Sequence, residues 1–134
     1  MTPHDLSQIH AAAFTLSRPW TALEFKTLLG NPHTHLFVRP AGFALLQLIA
    51  DEAELLTIAV HPDAQGKGTG HQLMADWMAG VQATEAFLEA AADNTHALQL
   101  YTANGFAEVA RRKSYYARKS GDSVDAIVMR AALT

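Results

Sequence analysis

Apolar positions recur at three- and four-residue spacing in four stretches of the chain, which predicts four amphipathic helices. The predicted helices cover residues 3–14, 22–29, 68–81 and 95–104. Thr21 and Glu24 have the spacing of a capping box at the start of the second helix. Gly105 follows the fourth helix as its expected C-terminal glycine.

Apolar stretches between and after these helices predict six strands. They cover residues 35–39, 43–50, 54–60, 85–90, 107–116 and 125–131. The third is apolar at nearly every position, which is typical of a strand that is covered on both faces. The order is two helices, three antiparallel strands, and then helix, strand, helix, strand, strand. This order predicts one α+β domain over residues 1–134, with a central sheet flanked by helices.

The composition excludes several classes of protein. A net charge of −3 argues against a nucleic-acid binder that depends on phosphate contacts. The absence of cysteine excludes disulfides, thiolate metal sites and a cysteine nucleophile. His33 and His35 have no evident third ligand, so no metal is expected. Neither a secretory signal nor an apolar run of membrane-spanning length is present, so we expect a cytoplasmic protein. As a separate expectation, the protein is a monomer or a weak homodimer.

A glycine-rich turn lies between the third predicted strand and the third helix. Its sequence is Gln65-Gly66-Lys67-Gly68-Thr69-Gly70. Backbone N–H groups at a helix N-terminus attract anions, and glycine lets the backbone approach them closely. The spacing fits neither the dinucleotide fingerprint nor the nucleotide P-loop. Taken alone, the turn is compatible with a phosphate site and also with a flexible loop that binds nothing.

The surrounding sequence resembles a known family. Residues 56–62, followed by 65–70 and an amphipathic helix, resemble the GNAT superfamily of acetyl-coenzyme A-dependent N-acetyltransferases. Residues 87–94 and 97–106 are similar to the bacterial ribosomal-protein N-terminal alanine acetyltransferases, as are 112–116 and 125–129. The resemblance implies a mostly antiparallel sheet with one parallel pair at the cofactor cleft.

The resemblance also implies a function and a set of site residues. The donor would be acetyl-coenzyme A, and the acceptor a primary amine, most simply the α-amino group of a protein, attacking directly in a ternary complex. Glu89 would be the general base and Tyr101 the general acid. The donor would contact Ile58, Ala59, Val60, Gln65, Gly66, Lys67, Gly68, Thr69, Gly70, His71 and Asn94.

Transfer of an acetyl group from a thioester to an amine requires a base and a proton donor. An α-amino group has a pKa of about 8, so at neutral pH it is mostly protonated and needs a base before it can attack a thioester. The departing thiolate needs a proton, and oriented N–H groups would stabilise the oxyanion. Without the resemblance, Glu89 fits a solvated surface position, Tyr101 a packing aromatic and Asn94 a helix cap.

Two departures from the subfamily bear on the acceptor. Ala91 stands where the subfamily commonly has arginine, two residues after the expected base. The first predicted helix begins at residue 3, so the family's initial strand is expected to be missing or very short. Two alternatives therefore remain open: an acetyltransferase of small amines, polyamines or lysine side chains, and a non-catalytic acyl-coenzyme A-binding module.

Overall fold

The computed structural model describes residues 1–15 and 18–133, and these contain four α-helices and six strands. The elements are α1 (Pro3–Ala13), α2 (Ala22–Leu29), β1 (Thr34–Arg39), β2 (Gly42–Ile49), β3 (Glu52–Val60), a 3-10 turn (Pro62–Ala64), α3 (Thr69–Gly80), β4 (Glu85–Ala91), α4 (Thr95–Ala103), β5 (Ala107–Ala117) and β6 (Ser123–Ala132). Each predicted element is present, with bounds that differ by at most two residues.

The first two helices begin at capping boxes. The Thr2 hydroxyl accepts the N–H of Asp5, and the Thr21 hydroxyl accepts the N–H of Glu24. In each case the acidic side chain accepts the N–H of the capping threonine in return. Two otherwise unpaired N–H groups are therefore satisfied at each start, as the sequence pattern predicts for the second helix.

The six strands form one sheet in the order β1-β2-β3-β4-β6-β5. All neighbours are antiparallel except β3 and β4, which are parallel. This parallel pairing joins residues 52–55 to residues 85–88 and then stops, although β3 continues to Val60 and β4 to Ala91. The two strands therefore separate within the sheet and open a cleft. The predicted mostly antiparallel sheet with one parallel pair is confirmed.

Helices cover both faces of the sheet. Trp77 and Met74 of α3 are completely buried with Leu88 on one face, and the Trp77 indole N–H lies 3.3 Å from the Met74 sulfur. Phe25 of α2 packs with Leu6 and Phe43 on the other face. Met74 and Trp77 lie on the buried face of the amphipathic helix that the sequence predicts over residues 68–81.

Candidate active site

Two cavities flank the cleft where β3 and β4 separate. The larger has a volume of about 540 Å³ and the smaller about 250 Å³. Both are lined by Ile58 of β3, by Asn94 at the start of α4, and by Ala13 and Phe14 at the end of α1. These shared residues mark the place where groups bound in the two cavities would meet.

The larger cavity brings together almost all of the predicted donor-binding residues. Those that line it are Ile58, Ala59, Val60, Gln65, Gly66, Gly68, Thr69, Gly70, His71 and Asn94. Lys67 does not line it, and this residue is exposed on the turn. The turn is attached to the end of β3, because the Gln65 side-chain amide donates to the Val60 carbonyl at 2.9 Å.

The N-terminus of α3 differs from those of the other described helices because no side chain caps it. Its N-cap is Gly68, with φ +82°, and Gly66 has φ +78°. Both glycines are in the left-handed region of backbone conformation. A residue with a Cβ atom would adopt this conformation at a cost of roughly 1 to 2 kcal/mol. The first N–H groups of α3 therefore have no intrahelical or side-chain partner and face a cavity. This is the arrangement that binds anions.

Gly70 permits a close approach between two helices. A Cβ atom at this position would lie 3.3 Å from a methyl carbon of Leu100, on α4. Glycine therefore lets the first turn of α3 lie directly against α4. The cavity wall is continuous from the glycine turn to α4 for this reason.

Asn94 has a structural role as well as a place in the site. Its side-chain oxygen accepts the N–H of Ala97 at 3.4 Å and so caps α4. The same residue lines both cavities. The two interpretations of Asn94 from the sequence, a helix cap and a residue near the donor, are thus compatible.

Glu89 and Tyr101 both line the smaller cavity. The Glu89 side chain is 25% exposed, and its Oε1 atom is buried. Arg112 Nε forms an ion pair with this oxygen at 2.8 Å, and among the described residues Oε1 accepts no hydrogen bond. An ionised carboxylate is an acceptor-only group, so a proton donor bound in this cavity would meet an acceptor at Glu89.

Tyr101 lies at the boundary between the core and the smaller cavity. It is 8% exposed and packs edge-on against Phe106, with ring centroids 6.3 Å apart. Burial, and secondarily the nearby Tyr116, raise the pKa of the Tyr101 phenol. The group therefore remains protonated at neutral pH, as a proton donor must be.

Several further residues of the smaller cavity were not identified as site residues from the sequence, and four of them have ring or guanidinium side chains that matter for its chemistry. They are His10, Trp20, Tyr116 and Arg118. Their positions depend on contacts between segments that are distant along the chain. Tyr116 lies within residues 112–116, which carry part of the family resemblance, and this was a signal for it.

His10 supports the wall of the smaller cavity. Its Nδ1 atom accepts the N–H of Trp20 at 3.1 Å, and its ring stacks on Phe14 at 4.3 Å. Burial lowers the pKa of His10 to about 4, with smaller opposing effects of Glu24 and Arg18. The imidazole is therefore neutral near pH 7. It links α1 to the segment that precedes α2 by accepting the Trp20 N–H.

Arg118 connects the β5–β6 turn to the start of α4. Its guanidinium donates to both carboxylate oxygens of Asp93, at 2.6 and 2.8 Å, and only 9% of its side chain is exposed. These hydrogen bonds lower the pKa of Asp93. Ala91, which has no guanidinium, lines the same cavity. The Arg118 guanidinium reaches this region from the β5–β6 turn instead.

The basic run 111–113 does not line the donor cavity. Arg111 pairs with Glu108 at 3.0 Å, and Lys113 lies 3.5 Å from Asp125. Among the described residues, no group of three or more histidine, aspartate or glutamate side chains has the geometry of a metal site. No helix within residues 1–15 and 18–133 is long and apolar enough to cross a membrane.

The split sheet, the uncapped helix start and the paired cavities suit an enzyme that transfers a group from an anionic donor. The sequence profile of the Acetyltransferase (GNAT) family matches residues 4–106, and the chain belongs to this family. The protein is an acyltransferase of the acetyl-coenzyme A-dependent N-acetyltransferase class, as the sequence predicted. The predicted donor, acetyl-coenzyme A, is likewise confirmed.

Relatives of known name extend over most of the chain. The [Ribosomal protein bS18]-alanine N-acetyltransferase of Salmonella typhimurium is 35% identical over 118 residues, covering 83% of this chain and 79% of that protein. N-alpha-acetyltransferase RimI of Mycobacterium tuberculosis is 32% identical over 133 residues, covering 92% and 82%. The crystal structure of the ribosomal-protein-S18-alanine N-acetyltransferase from Escherichia coli superposes with a TM-score of 0.89 at 29% identity, covering 98% and 88%.

Proposed function

We propose that residues 1–134 act as a single domain that acetylates the N-terminal α-amino group of a protein, with a ribosomal protein beginning with alanine as the acceptor. The observation that carries the proposal is the junction of the two cavities, where a donor and an acceptor would meet beside Glu89 and Tyr101. The named relatives in S. typhimurium and E. coli support the acceptor class. We place this activity in the cytoplasm, in a monomer or weak homodimer, without a direct nucleic-acid partner.

The larger cavity suits the donor. The uncapped start of α3 supplies backbone N–H groups for a pyrophosphate. Beyond residue 55, the edge of β3 that faces β4 is unpaired, so Ile58, Ala59 and Val60 offer backbone groups to the pantetheine arm. Lys67 contributes charge from outside the cavity, since it does not line it. When bound, the thioester supplies the activated acetyl group.

We assign the two proton transfers to the smaller cavity. Glu89 accepts the proton of the bound ammonium, directly or through a water molecule, so that the amine becomes a nucleophile. Its carboxylate lines the smaller cavity and is partly exposed there, which supports this role. Tyr101 holds a proton at its phenol oxygen at neutral pH, since its pKa is raised by burial, and it supplies that proton to the leaving sulfur. Asn94 positions the start of α4 between the two cavities.

One observation favours a second acceptor class. Ala91 lines the smaller cavity, where the subfamily commonly has arginine. The Arg118 guanidinium, whose side chain is mostly buried beside this cavity, is paired with Asp93. The charged groups that this cavity offers to the backbone of an acceptor therefore differ from those of the subfamily. A small amine, a polyamine or a lysine side chain is the alternative acceptor on the same donor chemistry.

The acceptor class is tested by turnover. Purified protein is incubated with acetyl-coenzyme A and a panel of peptides and amines, and the release of free thiol is followed. Fastest transfer to a peptide beginning with alanine supports the proposal, and the same peptide with a blocked N-terminus is the matched control. Transfer only to small amines or to lysine side chains supports the second class. Binding of the donor without turnover on any acceptor would contradict a catalytic role for Glu89 and Tyr101.

A further inference from the structure

The smaller cavity contains an ion pair of its own. Among the described residues, the Asp, Glu, Lys and Arg side chains that line it are those of Arg18, Glu89, Asp93 and Arg118. Arg18 pairs with Glu24, which does not line the cavity, and Glu89 pairs with Arg112, which does not line it either. Asp93 and Arg118 both line the cavity and pair with each other. Their charges are therefore compensated inside the cavity.

The arginine of this pair is held largely out of solvent. The Arg118 side chain is 9% exposed, compared with 66% for Arg18 and 58% for Arg112. Two nitrogens of its guanidinium donate to the two carboxylate oxygens of Asp93, at 2.8 and 2.6 Å. Bidentate pairs of this kind combine charge with a fixed geometry. Loss of one partner would leave the charge of the other uncompensated in the cavity.

Arg118 reaches the cavity from a strand that is irregular near its end. β5 is the outermost strand, and β6 lies between it and β4. The pairing of β5 with β6 shifts between Arg112 and Tyr116, where β5 has two more residues than β6. Ser114, within this bulge, has φ +49°, and its N–H donates to the side chain of Asp125 at 3.0 Å. Bulges bend a strand and re-aim its side chains, and both Tyr116 and Arg118 follow this bulge and line the cavity.

Backbone hydrogen bonds hold the segments on which the two partners lie. In the β5–β6 turn, the Arg118 N–H donates to the Asp122 carbonyl at 3.0 Å, and the Gly121 N–H donates to the Arg118 carbonyl at 2.9 Å. Asp93 is followed directly by Asn94, whose side chain caps α4. The side chains of the pair take no part in these bonds. Substitution of either side chain is therefore expected to change the charge of the cavity more than its backbone.

We propose that Arg118 and Asp93 determine the acceptor selectivity of the smaller cavity, because the guanidinium cancels the charge of Asp93 and leaves no uncompensated carboxylate there for a second ammonium group. The inference rests on the proposed function, since it requires the acceptor to enter this cavity. Glu89 serves the reacting amine. Position 91 is alanine, so Arg118 is the residue that compensates Asp93. An acceptor with a further cation beside its reacting amine gains nothing from a carboxylate that is already paired.

The test compares two peptides that begin with alanine and differ only at the second residue, which is lysine or methionine. The ratio of their kcat/KM values is measured for each variant at saturating acetyl-coenzyme A. A cavity of about 250 Å³ is narrower than the ~10 Å over which charges act at 0.1 M salt, so a lysine next to the reacting residue is sensitive to the pair. The fraction of folded enzyme cancels in this ratio, so a loss of stability does not imitate a change of selectivity.

The two single variants should change the ratio in opposite directions. Arg118→Gln leaves the carboxylate of Asp93 uncompensated, so the ratio should shift toward the lysine peptide by roughly three- to five-fold. Asp93→Asn leaves the guanidinium uncompensated, so the ratio should shift by a similar factor toward the methionine peptide. The double variant has neither charge, and its ratio should return to the wild-type value. Arg118→Lys keeps the positive charge and should also remain close to the wild type.

Arg111→Gln is the matched control, because Arg111 lies on the same hairpin, pairs with Glu108 and lines neither cavity. It should leave the ratio unchanged. A shift of both single variants in the same direction, or a ratio that neither of them changes, would overturn the inference and leave the proposed function intact. A purely structural role of the pair predicts no such opposite signs. A wild type that acetylates neither peptide would overturn the proposed function, and this inference with it.

Discussion

Replacement of Glu89 by glutamine tests the catalytic assignment most directly. Glutamine has nearly the volume of glutamate but cannot accept the proton of an ammonium group. Glu89 lines only the smaller cavity, so the donor cavity is unchanged by the substitution. We therefore expect a loss of turnover with an unchanged affinity for coenzyme A.

The size of the loss follows from the role of the carboxylate. A general base contributes at least about 10²-fold, so turnover at pH 7 should fall by roughly that factor or more. Because the α-amino pKa is about 8, roughly one amine in ten is neutral at pH 7 and about nine in ten at pH 9. The variant should therefore recover up to about ten-fold between these pH values, and the difference from the wild type should narrow accordingly.

Unfolding would not account for such a loss. Arg112, the cation nearest to Glu89, is 58% exposed, so breaking this pair costs at most about 1 kcal/mol. That corresponds to a fall in Tm of about 4 °C for a chain of this length. Tm and the dissociation constant of coenzyme A are therefore measured alongside turnover.

Glu108→Gln is a matched control, because Glu108 lies on β5, pairs with Arg111 and lines neither cavity. It should retain wild-type turnover. Wild-type turnover in Glu89→Gln, or a defect in it that is the same at pH 7 and pH 9, would refute the assignment of Glu89 as the base.

Three further predictions concern the acid, the glycine turn and the buried histidine. Tyr101→Phe should reduce turnover at least about ten-fold without changing coenzyme A affinity, and equal turnover would contradict its role as the acid. Gly68→Ala should lower Tm by about 4 °C and weaken coenzyme A binding, because φ is +82°. Gly121→Ala, at φ +92° in the β5–β6 turn, should match the Tm loss but leave binding unchanged. His10 has a folded pKa of about 4, below its unfolded value, so the wild type should lose about 2 to 3 kcal/mol of stability as the pH falls from 6.5 to 4. Urea melts of His10→Gln, which keeps an acceptor for the Trp20 N–H, should lack this loss.

The elements and the donor site were largely predictable because their information is local. A capping box occupies four consecutive residues, and Thr21 and Glu24 form it as the pattern indicates. Gly66 and Gly68 lie in the left-handed region that favours glycine, so the turn could be identified from its composition. Conformational preferences of single residues and short spacings are sufficient for such features.

The acceptor side was less predictable because it depends on contacts between distant segments. Arg118 meets Asp93 across 25 positions of sequence, and His10 meets Trp20 across ten. No local preference of arginine or histidine indicates either partner. Lys67 also shows what local reasoning leaves open: the resemblance places it among the donor-binding residues, and the tertiary structure places it on the exposed turn beside the cavity.

The sequence by itself thus determined the order of the elements, the family and the donor. The tertiary structure decided where β3 and β4 separate, which residues line both cavities and which charged side chains line the smaller one. The physical reason is the range of the interactions involved. Periodicity, capping and glycine conformation act within a few residues, whereas a cavity exists only after strands and helices from the whole chain have packed together.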